Sequence, residues 1–291
     1  MPDTNPAENA VVCVDLDRTL IYSSAALGLS GADADLPRLL CVELYQGRPL
    51  SYVTESAAAG LELLAAAATL VPTTTRTPEQ YARVHLLGEA PAYAICANGG
   101  HLLVDGHSDP DWAAGVRVRV SECAEPAEVY AHLSRISGDF VKKLRMAADL
   151  FCYAVVERGE LPAGWVAELA GWCAERGWTT SLQGRKVYCL PKPLTKAAAA
   201  AEVARRTGAG VLLAAGDSLL DTELLEAADA SIRPPHGELA ETGWVGEGTS
   251  VSPSGGVAAG EEIVGWLLER ALNPGAVPRR GAWRENPLPS R

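Results

Sequence analysis

The apolar positions of this chain form two kinds of run. Val11, Val12, Cys13 and Val14 make an unbroken apolar stretch that ends at Asp15. A run without alternation suits a strand buried on both faces of a parallel sheet. Leu61 to Leu64 and the alanines behind them predict a helix, and Thr69, Leu70 and Val71 before Pro72 a second buried strand that ends in TTTR. The rhythm returns after Pro191. Thr195 is placed to cap a helix through AAAAAEVARR to Gly208, GVLLAAGDS reads as another buried strand with a polar end, and DTELLEAAD as the helix that follows.

Between these blocks the pattern changes. YAICANGGHLLVDG predicts a hairpin turning over Asn98, Gly99 and Gly100, and TTSLQGRKVYCLP a second hairpin turning at Gln183 and Gly184. A helix is predicted over roughly 126–137, a strand at LFCYAVV, and a helix over roughly 162–175 ended by Gly177. That mixture belongs to an α+β unit on an open antiparallel sheet. The fold class is therefore α/β, a Rossmann-like parallel-sheet core over 1–97 and 191–291 with an inserted α+β domain over 98–190. The tail beyond Asn273, rich in Pro and Arg, is expected to fray.

Composition narrows the function. With 291 residues, 48% hydrophobic and 21% charged, the chain has ample material for a core, which excludes disorder over most of it. A net charge of -11 without a basic block excludes sequence-independent binding to nucleic acid. Any anionic ligand must therefore meet a local cluster of cations. No apolar run is long enough to cross a bilayer and the start, MPDTNPAENA, is polar and acidic, so a soluble cytoplasmic protein is expected. The seven cysteines are scattered and never spaced as CxxC, which predicts buried reduced thiols.

Three segments close buried strands with polar residues: Asp15 and Asp17, then Thr73 to Arg76, then Asp217 and Asp221. The carboxyl ends of parallel strands meet at the crevice where ligands bind, so these acids are expected to converge. Their mutual repulsion calls for a hard divalent cation with oxygen ligands, and magnesium fits that ligand set. At about 4 Å and an effective dielectric of ~20, a carboxylate repels a phosphate dianion by roughly 8 kcal/mol, while a divalent ion attracts it about twice as strongly. Lys196, in the first turn of a helix, is disfavoured by the helix dipole and gains only where an anion is held nearby. Taken singly, DxD is an ordinary turn, TTTR and GDSLLD are ordinary caps, and a lysine is an ordinary surface residue. Their order along the chain is what points to a site.

In that order the segments resemble the haloacid dehalogenase (HAD) superfamily. VVCVDLDRTL resembles its first motif, TTTRT its second, PLTK its third and GDSLLD its fourth. The insertion between the second and third motifs, opening with NGG, resembles the type IIB cap of the sucrose-phosphate phosphatase and Cof-like branch, and VPTTTRT resembles a stretch of the mannosyl-phosphoglycerate phosphatases. The resemblance implies Asp15 as nucleophile, Asp17 as acid and base, Thr74 as a donor to phosphate, and Lys196 as the cation that holds Asp15 and the phosphoryl group. It implies magnesium on Asp15, the main-chain carbonyl of Asp17 and Asp217, with Asp221 a ligand or an orienter of its waters. Two positions depart from the pattern: Arg18 stands where glycine is common, and Leu220 where asparagine is common.

Specificity is then expected in the cap. Lys142, Lys143 and Arg145 in FVKKLRMAADLF, and Arg185 with Lys186 at the turn QGRKVY, are candidates for contacting substrate, as is Arg76; the other reading is a solvated helix face for the first group and a polar turn for the second. Asn98 is assigned to its turn and His236 to a loop. The expected activity is magnesium-dependent phosphomonoester hydrolysis of a small phosphorylated metabolite, a sugar phosphate, through an aspartyl-phosphate. The alternatives are a sugar phosphomutase and a phosphate-binding accessory protein with little turnover.

Overall fold

A computed structural model describes residues 9–280 and Trp283. Its centre is a five-stranded parallel sheet in the order Thr249–Val251, Ala230–Arg233, Val211–Ala215, Ala10–Val14, Thr69–Pro72. All five residues of Ala10–Val14 are buried, and their side chains divide between two cores. Val11 and Cys13 pack with Ala199, Ala200 and Val203 of the helix Lys196–Thr207. Val12 and Val14 pack with Leu61 and Leu64 of Glu55–Ala67 and with Ile263 and Leu267 of Val257–Leu272. The missing alternation in the sequence is thus the signature of helices on both faces. Each of the fully buried Val, Leu and Ile side chains among them contributes roughly 1.5–3 kcal/mol.

The sheet brings the polar strand ends together. The Asp15 amide donates to Ala215 O at 2.9 Å and the Thr73 amide to Val14 O at 2.8 Å, so the ladder continues one residue into each loop. A hairpin of Tyr93–Cys96 and His101–Val104 joins this edge through a parallel bridge between Thr73 and Ile95. Its turn passes close to the Lys196 helix: a Cβ on Gly99 would lie 2.1 Å from Thr195 O, at a φ of +94°.

Beyond it lies a four-stranded antiparallel sheet in the order Trp178–Gln183, Lys186–Pro191, Phe151–Val156, Val141–Ala147. The helices Pro126–Ile136 and Trp165–Ala174 cover one face, where Val129, Leu133 and Leu169 pack with Val187, Cys189, Cys152 and Ala154. This is the parallel core with an inserted α+β cap that the sequence predicts.

Several elements were not predicted. The hairpin Leu39–Tyr45 with Arg48–Thr54 lies between the first strand and the first helix, and the helices Pro110–Val120 and Val257–Leu272 complete the two units. Residues Val141–Ala147 form a strand, which removes the solvated-helix reading of that segment. The expected fraying of the tail is corrected over its described part. Trp283 is buried and its indole N–H donates to Asp229 Oδ2 at 3.0 Å, while the Arg280 amide donates to Asp229 Oδ1 at 2.9 Å. An aromatic side chain with its N–H satisfied in this way anchors the chain to the core. The rest of the predicted tail lies outside the described residues.

Cys13, Cys96, Cys152, Cys173 and Cys189 are buried and free, as expected, whereas Cys41 is exposed. Among the described residues no helix is long and apolar enough to cross a membrane.

Candidate active site

Asp15 follows the central strand and Lys196 opens the helix capped by Thr195, whose Oγ1 accepts from the Ala198 amide. The Lys196 ammonium donates to Asp15 Oδ1 and to Asp221 Oδ1, both at 2.6 Å. Its side chain is only 1% exposed, so the two carboxylates are its counter-charge in place of water. The other oxygen of Asp221 accepts from the Asp217 amide at 3.2 Å, the Ser218 amide at 2.9 Å and Ser218 Oγ at 2.7 Å. Gly216 makes room for this loop, because a Cβ there would lie 2.4 Å from Asp221 Cγ. Asp15, Asp217 and Asp221 each bring a carboxylate oxygen within 4.8 Å of the others, and all three are buried.

Asp17 stands apart from this cluster. Its two oxygens accept a bidentate pair from Arg76, Nε to Oδ2 and Nη2 to Oδ1, both at 2.8 Å. Arg76 Nη1 in turn lies 2.9 Å from Oε1 of Glu43, a fully buried carboxylate on the unpredicted hairpin. Glu43 also pairs with Arg83 at 3.2 Å and accepts from Ser51 Oγ at 2.7 Å. A candidate for substrate contact is therefore committed to Asp17, and Glu43, which no motif marks, fixes it from behind.

The three threonines separate by role. Thr73 Oγ1 donates to Val71 O at 2.9 Å, and Thr75 Oγ1 lies 3.5 Å from the Tyr188 hydroxyl of the cap. Thr74 Oγ1 accepts from the Arg76 amide at 3.1 Å, which leaves its own proton available to a ligand. Arg18 holds a φ of 66°, a region that accommodates glycine without strain and accounts for the glycine common at that place in the motif. Its Nε lies 3.9 Å from Asp217 Oδ2, and its carbonyl accepts from His236 Nε2 at 2.8 Å. His236 is the loop residue expected; Asn98 sits in its turn at a φ of 57°, and its Nδ2 donates out of the turn to Leu194 O at 2.7 Å, tying the hairpin to the segment before Lys196. Leu220 packs against the apolar core.

The cap cations divide by strand parity. Lys142 is exposed and bonded to Glu160 Oε2 and Asp139 O, both at 2.9 Å. Arg185 is exposed at the turn, one residue before the strand. Arg145 is exposed and donates to Leu144 O at 3.1 Å. Lys186 carries its charge toward Asp17: it helps to lower the pKa of Asp17, and its Nζ lies 5.7 and 5.9 Å from the ring centroids of Tyr153 and Tyr188. Glu238 ties the two units together, accepting from Ser181 Oγ at 2.6 Å, the Leu182 amide at 2.8 Å and the Leu219 amide at 3.0 Å.

Burial pushes Asp15 up to about 7, with Asp221 and Asp17 adding to the rise and Lys196 opposing it. Asp217 is raised well above the usual carboxylate range by burial and by Asp15 and Asp221. Burial also acts to raise Asp17, but the hydrogen bonds and charge of Arg76, helped by Lys186 and Lys196, outweigh it and hold Asp17 at about 2. Two adjacent carboxylates that resist ionisation, within a set of hard oxygen donors, fit a divalent cation. Asp15 and Asp217 have oxygens left for such an ion. Asp221, engaged at both oxygens, is better placed to fix Lys196 and the loop.

The sign of the pH effect follows from these directions. The folded protein keeps protons on Asp15 and Asp217 where the unfolded chain has lost them. Both contributions to stability are full below the usual carboxylate range; that of Asp15 is lost as pH rises through about 7, and that of Asp217 is likewise lost on the alkaline side of the usual range. A bound divalent ion removes that penalty. Added magnesium is therefore expected to raise Tm more at pH 8 than at pH 5.5, measured by thermal scans; equal shifts at both values, or none, would show that the acids share no ion.

No protein-family model matches the sequence, and no curated protein matches it. Solved structures do match. The sucrose-phosphatase from Synechocystis, solved with sucrose and phosphate, aligns with a TM-score of 0.61 and 14% identity over 89% of this chain and 98% of that one. A Thermoplasma acidophilum protein aligns at 0.56 and 13% over 90% and 98%, and a Bacteroides thetaiotaomicron protein from a study of HAD superfamily phosphatases at 0.54 and 12% over 93% and 97%. The chain therefore has the fold of the HAD superfamily phosphatases. Its insertion, an antiparallel sheet backed by helices between the second and third motifs, is the type IIB cap.

Proposed function

We propose that the chain is a magnesium-dependent phosphomonoesterase acting on a small phosphorylated metabolite, a sugar phosphate, through an aspartyl-phosphate at Asp15. In this reading residues 1–97 and 191–291 carry the chemistry and 98–190 form the cap. The observation that carries it is Asp15 at a buried strand end, bonded to Lys196 at 2.6 Å and grouped with Asp217 and Asp221, while Asp17 is held separately by Arg76. The fold likeness to a sucrose-phosphatase solved with sucrose and phosphate supports the substrate class.

Asp15 Oδ2, which no hydrogen bond among the described residues restrains, attacks phosphorus as the ester oxygen departs. Lys196 and the Thr74 hydroxyl hold the oxygens of the phosphoryl group during transfer. Asp17 delivers a proton to the leaving oxygen and then takes one from the water that cleaves the acyl phosphate, regenerating Asp15. A magnesium ion on Asp15 and Asp217 would supply positive charge to the phosphoryl oxygens. Because Arg76 holds Asp17 ionised, its proton enters only once the charge of the bound phosphate raises its pKa.

A screen of sugar phosphates, other phosphorylated metabolites and an aryl phosphate is expected to show phosphate release that needs magnesium and stops with chelator. No turnover of any ester at saturating magnesium would end this reading. The low pKa of Asp17 favours one second reading, a phosphate-binding accessory protein, for which calorimetry would show binding with no hydrolysis over hours. Transfer of label between two sugar positions without free phosphate would instead identify a mutase.

A further inference from the structure

We propose that the cap holds an anion subsite, formed by Lys186 and Arg145 around Tyr153 and Tyr188, and that the substrate carries a second anionic group, a carboxylate or a phosphate, beyond the phosphoryl group that is cleaved. The inference rests on the phosphatase reading above and names the substrate class of that site.

The placement follows from sheet parity. Lys186 and Tyr188 are two apart on one strand and share a face. Tyr188 is the register partner of Tyr153, and Tyr153 of Arg145, so the four side chains leave the same side of the sheet. The residues between them, Val187, Cys189, Cys152 and Ala154, occupy the opposite side beneath the helices. The polar side faces the strand ends of the core, since the Tyr188 hydroxyl lies 3.5 Å from Thr75 Oγ1 and Lys186 acts electrostatically on Asp17. Lys143 lies two residues from Arg145, opposite Val155, which itself pairs with Lys186, and adds a third cation to that side.

These cations have no counter-charge in contact. Elsewhere in the cap Lys142 pairs with Glu160, Arg158 with Glu241 and Arg176 with Glu128. Among the described residues Lys143, Arg145 and Lys186 enter no ion pair, in a chain whose net charge is -11. Asp17 does not fill the place, because Arg76 already takes both its oxygens. Lys186 is half-buried between two tyrosine rings and hydrogen-bonded to Tyr188; Tyr188 and, at longer range, Asp17 outweigh burial and keep it an ammonium, with no carboxylate in contact. Sugar hydroxyls would leave that ammonium without an anion in contact. An anion at the far end of the substrate answers it, while the phosphoryl group stays with Lys196.

The test reads binding without turnover, by calorimetry with magnesium on an Asp15→Asn background, using two matched pairs. Glycerol 3-phosphate against 3-phosphoglycerate differs by a carboxylate, and fructose 6-phosphate against fructose 1,6-bisphosphate by a phosphate. In at least one pair the doubly anionic member is expected to bind roughly 10- to 100-fold more tightly, the range of a buried charged contact. Which pair responds identifies the anion. Lys186→Met should bring that ratio near one and Lys186→Arg should keep it; Arg145→Met, at an exposed position, should lower it in part without threatening the fold. Equal affinities in both pairs, or a ratio that survives Lys186→Met, would overturn the subsite. Phosphate release by the wild type is scored separately. Absence of turnover with the ratio intact sinks the phosphatase reading alone, and turnover without the ratio sinks the subsite alone.

Discussion

Asp15→Asn is expected to release no measurable phosphate from any ester the wild type hydrolyses, a fall of at least ~10⁴-fold. The reason is electronic rather than structural. A carboxamide has nearly the shape of the carboxylate and keeps an oxygen to accept from Lys196, so the loop between the Ala10–Val14 strand and the cluster is preserved. What it lacks is an anionic oxygen able to bond to phosphorus and later be released from it. The variant should therefore show unaltered circular dichroism. It should also be no less stable than the wild type at pH 8 without magnesium, because it removes one of the carboxylates that burial forces upward. Phosphate release above about one part in a hundred of the wild-type rate would show that the nucleophile lies elsewhere.

The features legible in the sequence were those in which local chemistry and strand end coincide. Asp15, Thr73 to Thr75 and Asp217 each follow a buried apolar run, and a parallel sheet admits only one place for such ends to meet. Lys196 was legible because a cation in a helix's first turn needs an explanation. The hairpin 39–54 was not legible, because the charge of Glu43 stands at a buried position and an irregularity in register falls at the same residue, which breaks the alternation that marks a strand. Its partner Arg76 consequently read as free for substrate. Which cap cations share a face was not legible either. The sequence puts Arg185 and Lys186 together at a turn; the strand begins at Lys186, and a shift of one residue exchanges the two faces of the sheet. FVKKLRMAADLF carries enough charge to look like a solvated helix, and only its pairing with Phe151–Val156 shows which of its cations look toward the core. In each case the missing information was a long-range partner.

Lys196→Met should cost the most stability of any single change at the site, on the order of 3–5 kcal/mol at neutral pH, the range for removing one partner of a buried ionic group. Asp15 and Asp221 would face each other and Asp217 with no ammonium between them, and the side chain is too deeply buried for water to take its place. The methionine itself fits the stem and relieves the dipole penalty of a cation in the first turn, worth about 0.3–1 kcal/mol, which the lost pairing exceeds. The deficit should shrink in acid, where the carboxylates bind protons, and magnesium should restore part of it by supplying charge among the same oxygens. Activity should not return with stability, because the ion cannot stand where the ammonium holds the transferring group. Urea unfolding at pH 7.5 with and without magnesium reads both effects. A loss below ~1 kcal/mol without the ion, as for a surface pair, would mean that Lys196 does not hold the acids together.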